Sequence, residues 1–489
     1  MSGKSTGLYG HGGTESAQRL ALTRGETPVA VYGLGKMGLP LAGVFAEVTG
    51  AVTGVDIDPA VVDAVNAGES HVSGEPGLDE LLADQVDRGR LEATTDGVAA
   101  AIDARIHVII VPTLITPDDR PDLSTIESVV EDVASGLSPG DLVIVESTLP
   151  PGTCRDAIAP HLAAESGLEP GSFGVAFCPE RTASGTALRD IRGQYPKVVG
   201  GVDDESGRAA ALVYDELSSN AVHLVSDATT AEAVKVFEGV YRDVNIALSN
   251  QLAGTAPELG VSVREVIETA NHIPMCHLHD PGPGVGGHCI PYYPHFLLSQ
   301  TEVPLEMVEL GRRVNREMPA RTVTMLEDAL VAMPRYGRDD GDVLEDASVL
   351  VLGFTYRPGV EETRASPAID AVETLRERGA DVWGCDPLVD PADFGARSIG
   401  VDDLASGPTF DAAILVTPQS EFERIQWGAL EPMVVLDGRD VLSLEDTDHR
   451  VVTLGGARGN RPTVIDGDVL ADTGTSTIGR PAAFDAPRQ

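Results

Sequence analysis

Lysine is scarce in this chain. Of 489 residues, 35 are basic and 76 acidic, and only Lys4, Lys36, Lys197 and Lys235 are lysines. The formal net charge of −41 excludes nucleic acid and anionic membrane surfaces as partners, because both need basic patches. No single acidic block forms a tail, so the excess reads as a solvation device for a salt-rich, halophilic cytoplasm. Cysteine is sparse too: Cys154, Cys178, Cys276, Cys289 and Cys385 are scattered, with no C-x-x-C pair. That excludes a disulfide framework, suggests no metal site, and fits a reducing, cytoplasmic setting. No apolar run approaches the roughly 20 residues a membrane helix needs. Residues 1–27 are polar and glycine-rich without an apolar targeting core, and residues 471–489 are small and polar. Both ends are expected to be disordered tails.

What is present is alternation. The length predicts two or three domains. Val29-Ala-Val-Tyr-Gly33 reads as a buried parallel strand. Gly33-Leu-Gly35-Lys36-Met37-Gly38 follows and opens an amphipathic helix to about Val48. Ala51-Val-Thr-Gly-Val-Asp56 is then a second strand ending in an acid. Strand, glycine loop, helix, strand and acid together read as a dinucleotide site: the glycines bring a pyrophosphate to the helix N-terminus, and Asp56 takes the ribose hydroxyls. A carboxylate there repels a 2′-phosphate, so NAD is favoured over NADP. Further strands end at Pro112-Thr113, at Glu146-Ser147-Thr148 and at Pro179-Glu180-Arg181, and Lys197–Gly201 reads as the closing strand. Small polar residues at carboxyl ends of strands are where open α/β sheets bind ligands.

From Thr229 the pattern is helical and carries Lys235. Alternation resumes near Asp346, with Gly353-Phe-Thr-Tyr-Arg357 in place of the dinucleotide loop and a second strand ending at Asp386. The predicted fold is α/β: a Rossmann domain over 28–225, a central helical domain over 226–340, and a second Rossmann-like, doubly wound domain over 341–470. Between the two long helical stretches lies Pro281-Gly-Pro-Gly-Val-Gly286-Gly287-His288-Cys289-Ile-Pro291. Its glycines allow close approach of backbone to a ligand. Cys289 is surrounded by residues that fill no core, so it reads as a nucleophile presented to a small molecule.

Taken in order, these motifs resemble the nucleotide-sugar dehydrogenases, the UDP-glucose and UDP-N-acetylhexosamine 6-dehydrogenases, over roughly residues 28–445. The resemblance implies NAD as cofactor, held by Gly33, Gly35, Lys36, Met37, Gly38, Asp56, Pro112 and Thr113. It also implies a UDP-sugar as substrate and a homodimer built on the central helices. The implied reaction is a four-electron oxidation of a sugar C6 alcohol, with the aldehyde trapped on Cys289 as a thiohemiacetal and released as uronate from a thioester. Lys235 matches the oxyanion-stabilising cation, Glu180 a water-activating acid/base, and Thr148 a water-ordering hydroxyl. Arg181, Arg357, Gly286 and Gly287 match substrate contacts. Asp386 reads equally as a partner for the uridine ribose or as a cap.

Three positions depart from the family pattern. Four residues after the lysine, Gly239 stands where the family has asparagine. Four residues after the cysteine, Tyr293 stands for aspartate, and Met275 stands where an arginine reaches the partner subunit's substrate. The string Tyr241-Arg-Asp-Val-Asn-Ile-Ala-Leu248 resembles the N-acetylhexosamine members, closest to those acting on UDP-N-acetylmannosamine. Three functions remain open: that dehydrogenase (or a UDP-glucose 6-dehydrogenase), a simpler hydroxyacid-type dehydrogenase, and a non-catalytic nucleotide-sugar-binding protein.

Overall fold

The computed structural model describes residues 7–10, 12–333 and 343–456. The amino-terminal stretch corrects the expected tail: Glu15–Thr23 is a helix, capped by the Thr14 side chain. Its anchors are few but buried. Leu8 and Leu22 enter the first domain's core, and the Tyr9 hydroxyl donates to Asp203, 194 residues away. The expected tail 471–489, and the end of the third domain beyond residue 456, lie outside the described residues.

The first sheet has eight strands in the spatial order Val222–Leu224, Lys197–Gly201, Gly174–Phe177, Leu142–Val145, Ile106–Ile109, Val29–Tyr32, Val52–Val55 and Leu91–Thr94. All neighbours are parallel except Gly174–Phe177 with Lys197–Gly201. The strand expected to close the sheet is therefore the penultimate one. Outside it lies Val222–Leu224, an exposed three-residue edge. The four central strands are buried at every position, as expected with helices on both faces. Side chains alternate between the two cores: Val29 and Val31 enter one, Ala30 and Tyr32 the other. The helix after the glycine loop, Gly38–Thr49, is buried almost all round rather than on one stripe, because neighbouring helices cover its outer face.

The second sheet has six parallel strands in the order Arg397–Ser398, Asp381–Cys385, Ser348–Leu352, Ala412–Leu415, Val434–Asp437 and Arg450–Thr453. Here too the first strand lies between the second and the fourth major strands, which creates a crevice at the strand ends. The echo extends to the loops. Gly33 N donates to Val55 O at 2.8 Å and Gly353 N to Cys385 O at 3.0 Å, and both glycines have positive φ. Asp56 then accepts from Leu34 N at 2.9 Å, as Asp386 accepts from Phe354 N at 2.6 Å.

Two 26-residue helices, Ala228–Ala253 and Glu306–Val331, pack against each other between the sheets. A buried polar network joins them. Arg312 Nη1 meets Asp243 Oδ1 at 2.7 Å, Asn315 Nδ2 donates to the same carboxylate at 2.8 Å, and Asn250 Nδ2 donates to Asn315 at 3.0 Å. Asn250 Oδ1 accepts from Gly282 N at 2.9 Å, so the network also holds the start of the cysteine loop.

Candidate active site

The helix Ala228–Ala253 begins at Asp227, whose side chain caps Thr230 N at 2.7 Å. Two turns further on, Lys235 points to the ends of the first sheet's strands. Its ammonium lies 3.6 Å from Glu180 Oε2 and donates to the Glu180 carbonyl. Glu180 follows the strand Gly174–Phe177, and its carboxylate also accepts from the Thr182 amide and hydroxyl. Burial works to raise the Glu180 carboxyl, but Lys235 and the Thr182 bonds outweigh it and keep the acid ionised. Burial opposes the Lys235 ammonium in the same way. Tyr293, Glu180, Cys289 and Glu238 around it hold its pKa above the ordinary lysine range.

Cys289 closes this cluster. Its carbonyl accepts from Tyr292 N and Tyr293 N, which starts the short helix Tyr293–Leu298. Burial alone would raise the thiol. The hydrogen bond and charge of His288, then Lys235 and the Tyr293 hydroxyl, more than offset it and hold Cys289 below the usual thiol range. His288 is itself raised to about 9 by its neighbours Cys289 and Glu362, the latter 3.8 Å from Nδ1. Cys154, Cys178 and Cys385 are buried and pushed up by burial. Thiolate character, which makes a cysteine reactive, thus belongs to Cys289 and not to those three.

Thr148 Oγ1 lies 3.1 Å from the Tyr293 hydroxyl. Arg181 forms an ion pair with Glu238 at 2.7 Å, on the turn after Lys235. Arg357 is exposed and donates to Ser184 O at 3.4 Å, from the third domain to the loop after Glu180. The loop glycines serve a close approach, but the neighbour is protein. A Cβ at Gly286 would lie 2.7 Å from Tyr356 Cβ, and one at Gly287, with φ +85°, 3.1 Å from the Tyr356 ring. Asp386 acts as a backbone cap, accepting from Phe354 N, Thr355 N and Leu388 N. Met275, in the place of the family arginine, is 91% exposed.

The dinucleotide residues assemble at one end of the first sheet. A Cβ at Gly38 would lie 1.9 Å from the Gly33 carbonyl, whereas Gly35 meets nothing within 4 Å and leaves its backbone open to a phosphate. Asp56 accepts from Leu34 N and, at 3.0 Å, from Asp58 N. Thr113 Oγ1 is buried without a hydrogen-bond partner, next to exposed Pro112. Met37 Sδ lies 3.0 Å from Thr182 Oγ1, a contact that links the glycine loop to the Glu180 loop. Lys36 Nζ reaches Glu362 at 3.8 Å. An open phosphate cradle, a ribose acceptor and an orphaned hydroxyl fit NAD. Glu362 was not foreseen: it lies in a polar loop, and only folding brings it to His288 and Lys36.

Two nucleotide-type sheets around one lowered thiol, one lysine and one carboxylate define an NAD-linked dehydrogenase. Sequence patterns of the UDP-glucose/GDP-mannose dehydrogenase family match throughout: the NAD binding domain over 27–218, the central domain over 229–317 and the UDP binding domain over 350–444. The chain belongs to this family and is an NAD-dependent nucleotide-sugar dehydrogenase. It is 35% identical over 420 residues to the UDP-N-acetyl-D-mannosamine dehydrogenase of Pyrococcus horikoshii, covering 85% of this chain and 96% of that protein. It is 32% identical to an NDP-N-acetyl-D-galactosaminuronic acid dehydrogenase of Ralstonia nicotianae, covering 85% and 96%. Among solved structures, the Pyrococcus horikoshii UDP-D-ManNAc dehydrogenase superposes with a TM-score of 0.80 at 33% identity, covering 88% of this chain and all of that one.

Proposed function

We propose that this enzyme oxidises the C6 hydroxyl of a UDP-N-acetylhexosamine, UDP-N-acetylmannosamine first among them, to the uronate in two successive two-electron steps. The observation that carries the reading is the lowered thiol of Cys289 in a cluster with Lys235 and ionised Glu180. A plain alcohol dehydrogenase has no use for such a thiolate. NAD, which the glycine loop Gly33–Gly38 and Asp56 would hold, would supply the hydride acceptor for both oxidations. Within the chain, the Cys289 thiolate adds to the aldehyde carbon and forms a C–S bond as the carbonyl electron pair moves to oxygen. The Lys235 ammonium stabilises that oxyanion. After the second oxidation the carbon is held as a thioester, a good acyl donor. Glu180 takes a proton from water, water adds to the carbonyl, and the C–S bond breaks to return the thiolate. Thr148 orders the water.

The sugar's diphosphate is assigned to the third domain, with Arg357 and the Gly286–Gly287 backbone at the mouth; Arg181 supports the floor through Glu238. The homodimer finds support in an exposed apolar stripe on the central helices: Phe237, Tyr241, Leu248 and Leu252 on one, Met307 and Leu310 on the other. A stripe at helical spacing on the surface marks a contact face. Free Cys289 and Cys276 accord with a reducing, cytoplasmic location.

A panel of UDP-sugars followed by NADH absorbance tests the reading. Two NADH per UDP-N-acetylmannosamine, with uronate as product, is the expected result. One NADH per sugar, or activity confined to UDP-glucose, overturns it.

A further inference from the structure

Two of the departures from the family pattern, Gly239 and Tyr293, are 54 positions apart in sequence and share one volume in space. A Cβ at Gly239 would lie 2.2 Å from Tyr293 Cδ2 and 2.8 Å from its Cβ, deep inside van der Waals contact. The ring fits only because residue 239 has no side chain. It is buried against Val236 and Phe296, so its orientation is fixed by packing. Its hydroxyl is 3.1 Å from Thr148 Oγ1, and Lys235 Nζ lies 5.7 Å from the ring centroid. The Tyr293 amide donates to Cys289 O at 3.0 Å, which ties the ring to the first turn after the nucleophile.

We propose that Tyr293 is a catalytic residue. Its hydroxyl, oriented by Thr148, donates a hydrogen bond to the Cys289 sulfur and then to the oxyanion formed when that sulfur adds to a carbonyl. One phenol thereby replaces two polar side chains, the asparagine and the aspartate that the family pattern has at 239 and 293. The donor keeps its proton throughout: the C–S bond forms, the carbonyl pair moves to oxygen, and the phenol only shares its hydrogen. Burial supports this, since it holds the phenol well above its usual range and therefore neutral. The other groups facing the sulfur are His288 on the cysteine loop, backed by Glu362 of the third domain, and Lys235 of the central helix with Glu180 beside it.

The inference rests on the covalent role given to Cys289 above, and its test separates the two. Tyr293→Phe keeps the ring that fills the Gly239 volume and deletes the hydroxyl. Alkylation of Cys289 by iodoacetamide, followed by peptide mass as a function of pH, is expected to shift its midpoint upward by about one unit. With UDP-N-acetylmannosamine, kcat is expected to fall roughly 10²–10³-fold with KM little changed, as on loss of one oxyanion donor. An unchanged alkylation midpoint overturns the proposal, whether or not the sugar is turned over. If wild type oxidises no UDP-sugar, the functional reading fails while the alkylation profiles still judge Tyr293. Gly239→Asn should inactivate or unfold the enzyme, and the double variant Gly239→Asn/Tyr293→Asp should recover folding and measurable activity. A fully active Gly239→Asn, or a double variant no better than that single one, also overturns it.

Discussion

Glu362 Oε1 lies 3.8 Å from His288 Nδ1, so a carboxylate of the third domain touches the residue beside the nucleophile. Its other oxygen is 3.8 Å from Lys36 in the glycine loop. All three units of the chain thus meet at one acid, and the charge state of Cys289 depends on how they are assembled. His288 is raised to about 9, so it carries its proton, and supports the thiolate, below that pH. Its contribution to stability is fully present below the unfolded value of 6.5 and is lost as pH rises through about 9. Glu362→Gln is expected to lower the His288 pKa and raise that of Cys289. Iodoacetamide trapping of Cys289 near neutral pH should slow about tenfold for each pH unit by which the thiol rises, with NAD affinity little changed.

Cys289→Ser is expected to abolish uronate formation. A serine hydroxyl lacks the thiolate's acidity, and its ester leaves less readily. Product analysis by mass spectrometry checks this: at most the aldehyde, or a slowly released acyl enzyme, should appear. Uronate formed at the wild-type rate would sink the covalent route.

For Glu180→Gln the expected block is later, at water attack. Removal of a general base costs about 10²–10⁴-fold. Rapid mixing should therefore give a burst of two NADH per site, followed by slow turnover and an acyl adduct on the Cys289 peptide. A variant with a normal steady-state rate and no burst would remove Glu180 from the mechanism.

Asp243 and Arg312 form a buried pair at 2.7 Å. Asp243→Ala leaves Arg312 charged and unmatched, a loss of about 3–5 kcal/mol when one partner of such a pair is removed. The melting temperature should drop sharply, while Asp243→Ala/Arg312→Met should recover part of the loss. Because the same network holds Gly282, the single variant should also expose the cysteine loop to proteolysis.

The net charge of −41 implies strong self-repulsion at low ionic strength. Raising potassium chloride from about 0.01 M to 1 M shortens the screening length from about 30 Å to 3 Å. The melting temperature should rise steeply across that range. A flat profile would remove the salt-rich reading of the acidity.

Much of this was legible in sequence. Apolar runs ending in glycine or small polar residues located the strands, because buried parallel strands leave no polar face to confuse the pattern. Lys235, Glu180, Cys289 and Thr148 come together in the fold, Glu180 and Thr148 after strand ends, Lys235 on the long helix that faces them, and Cys289 on the loop before the short helix Tyr293–Leu298. The amino-terminal helix was hidden because two leucines and one tyrosine do the anchoring in an otherwise polar stretch. The edge strand Val222–Leu224 was too short to carry a period. The Glu362–His288 contact and the Gly239–Tyr293 fit left no local trace: each is a relation between distant segments, and sequence shows only its separate halves. The glycines at 286 and 287 were read as room for a ligand, whereas the neighbour they admit in the fold is Tyr356.

The bond from Leu34 N to Asp56 has a practical consequence for redesign. One carboxylate anchors the turn of the glycine loop, and in the role its place at the strand end implies it would also repel the extra phosphate of NADP. Removing it to change cofactor preference would free the amide and loosen the turn in the same stroke. An engineered switch would therefore have to bring a neutral acceptor for Leu34 N, such as asparagine, together with a cation placed further along the strand end.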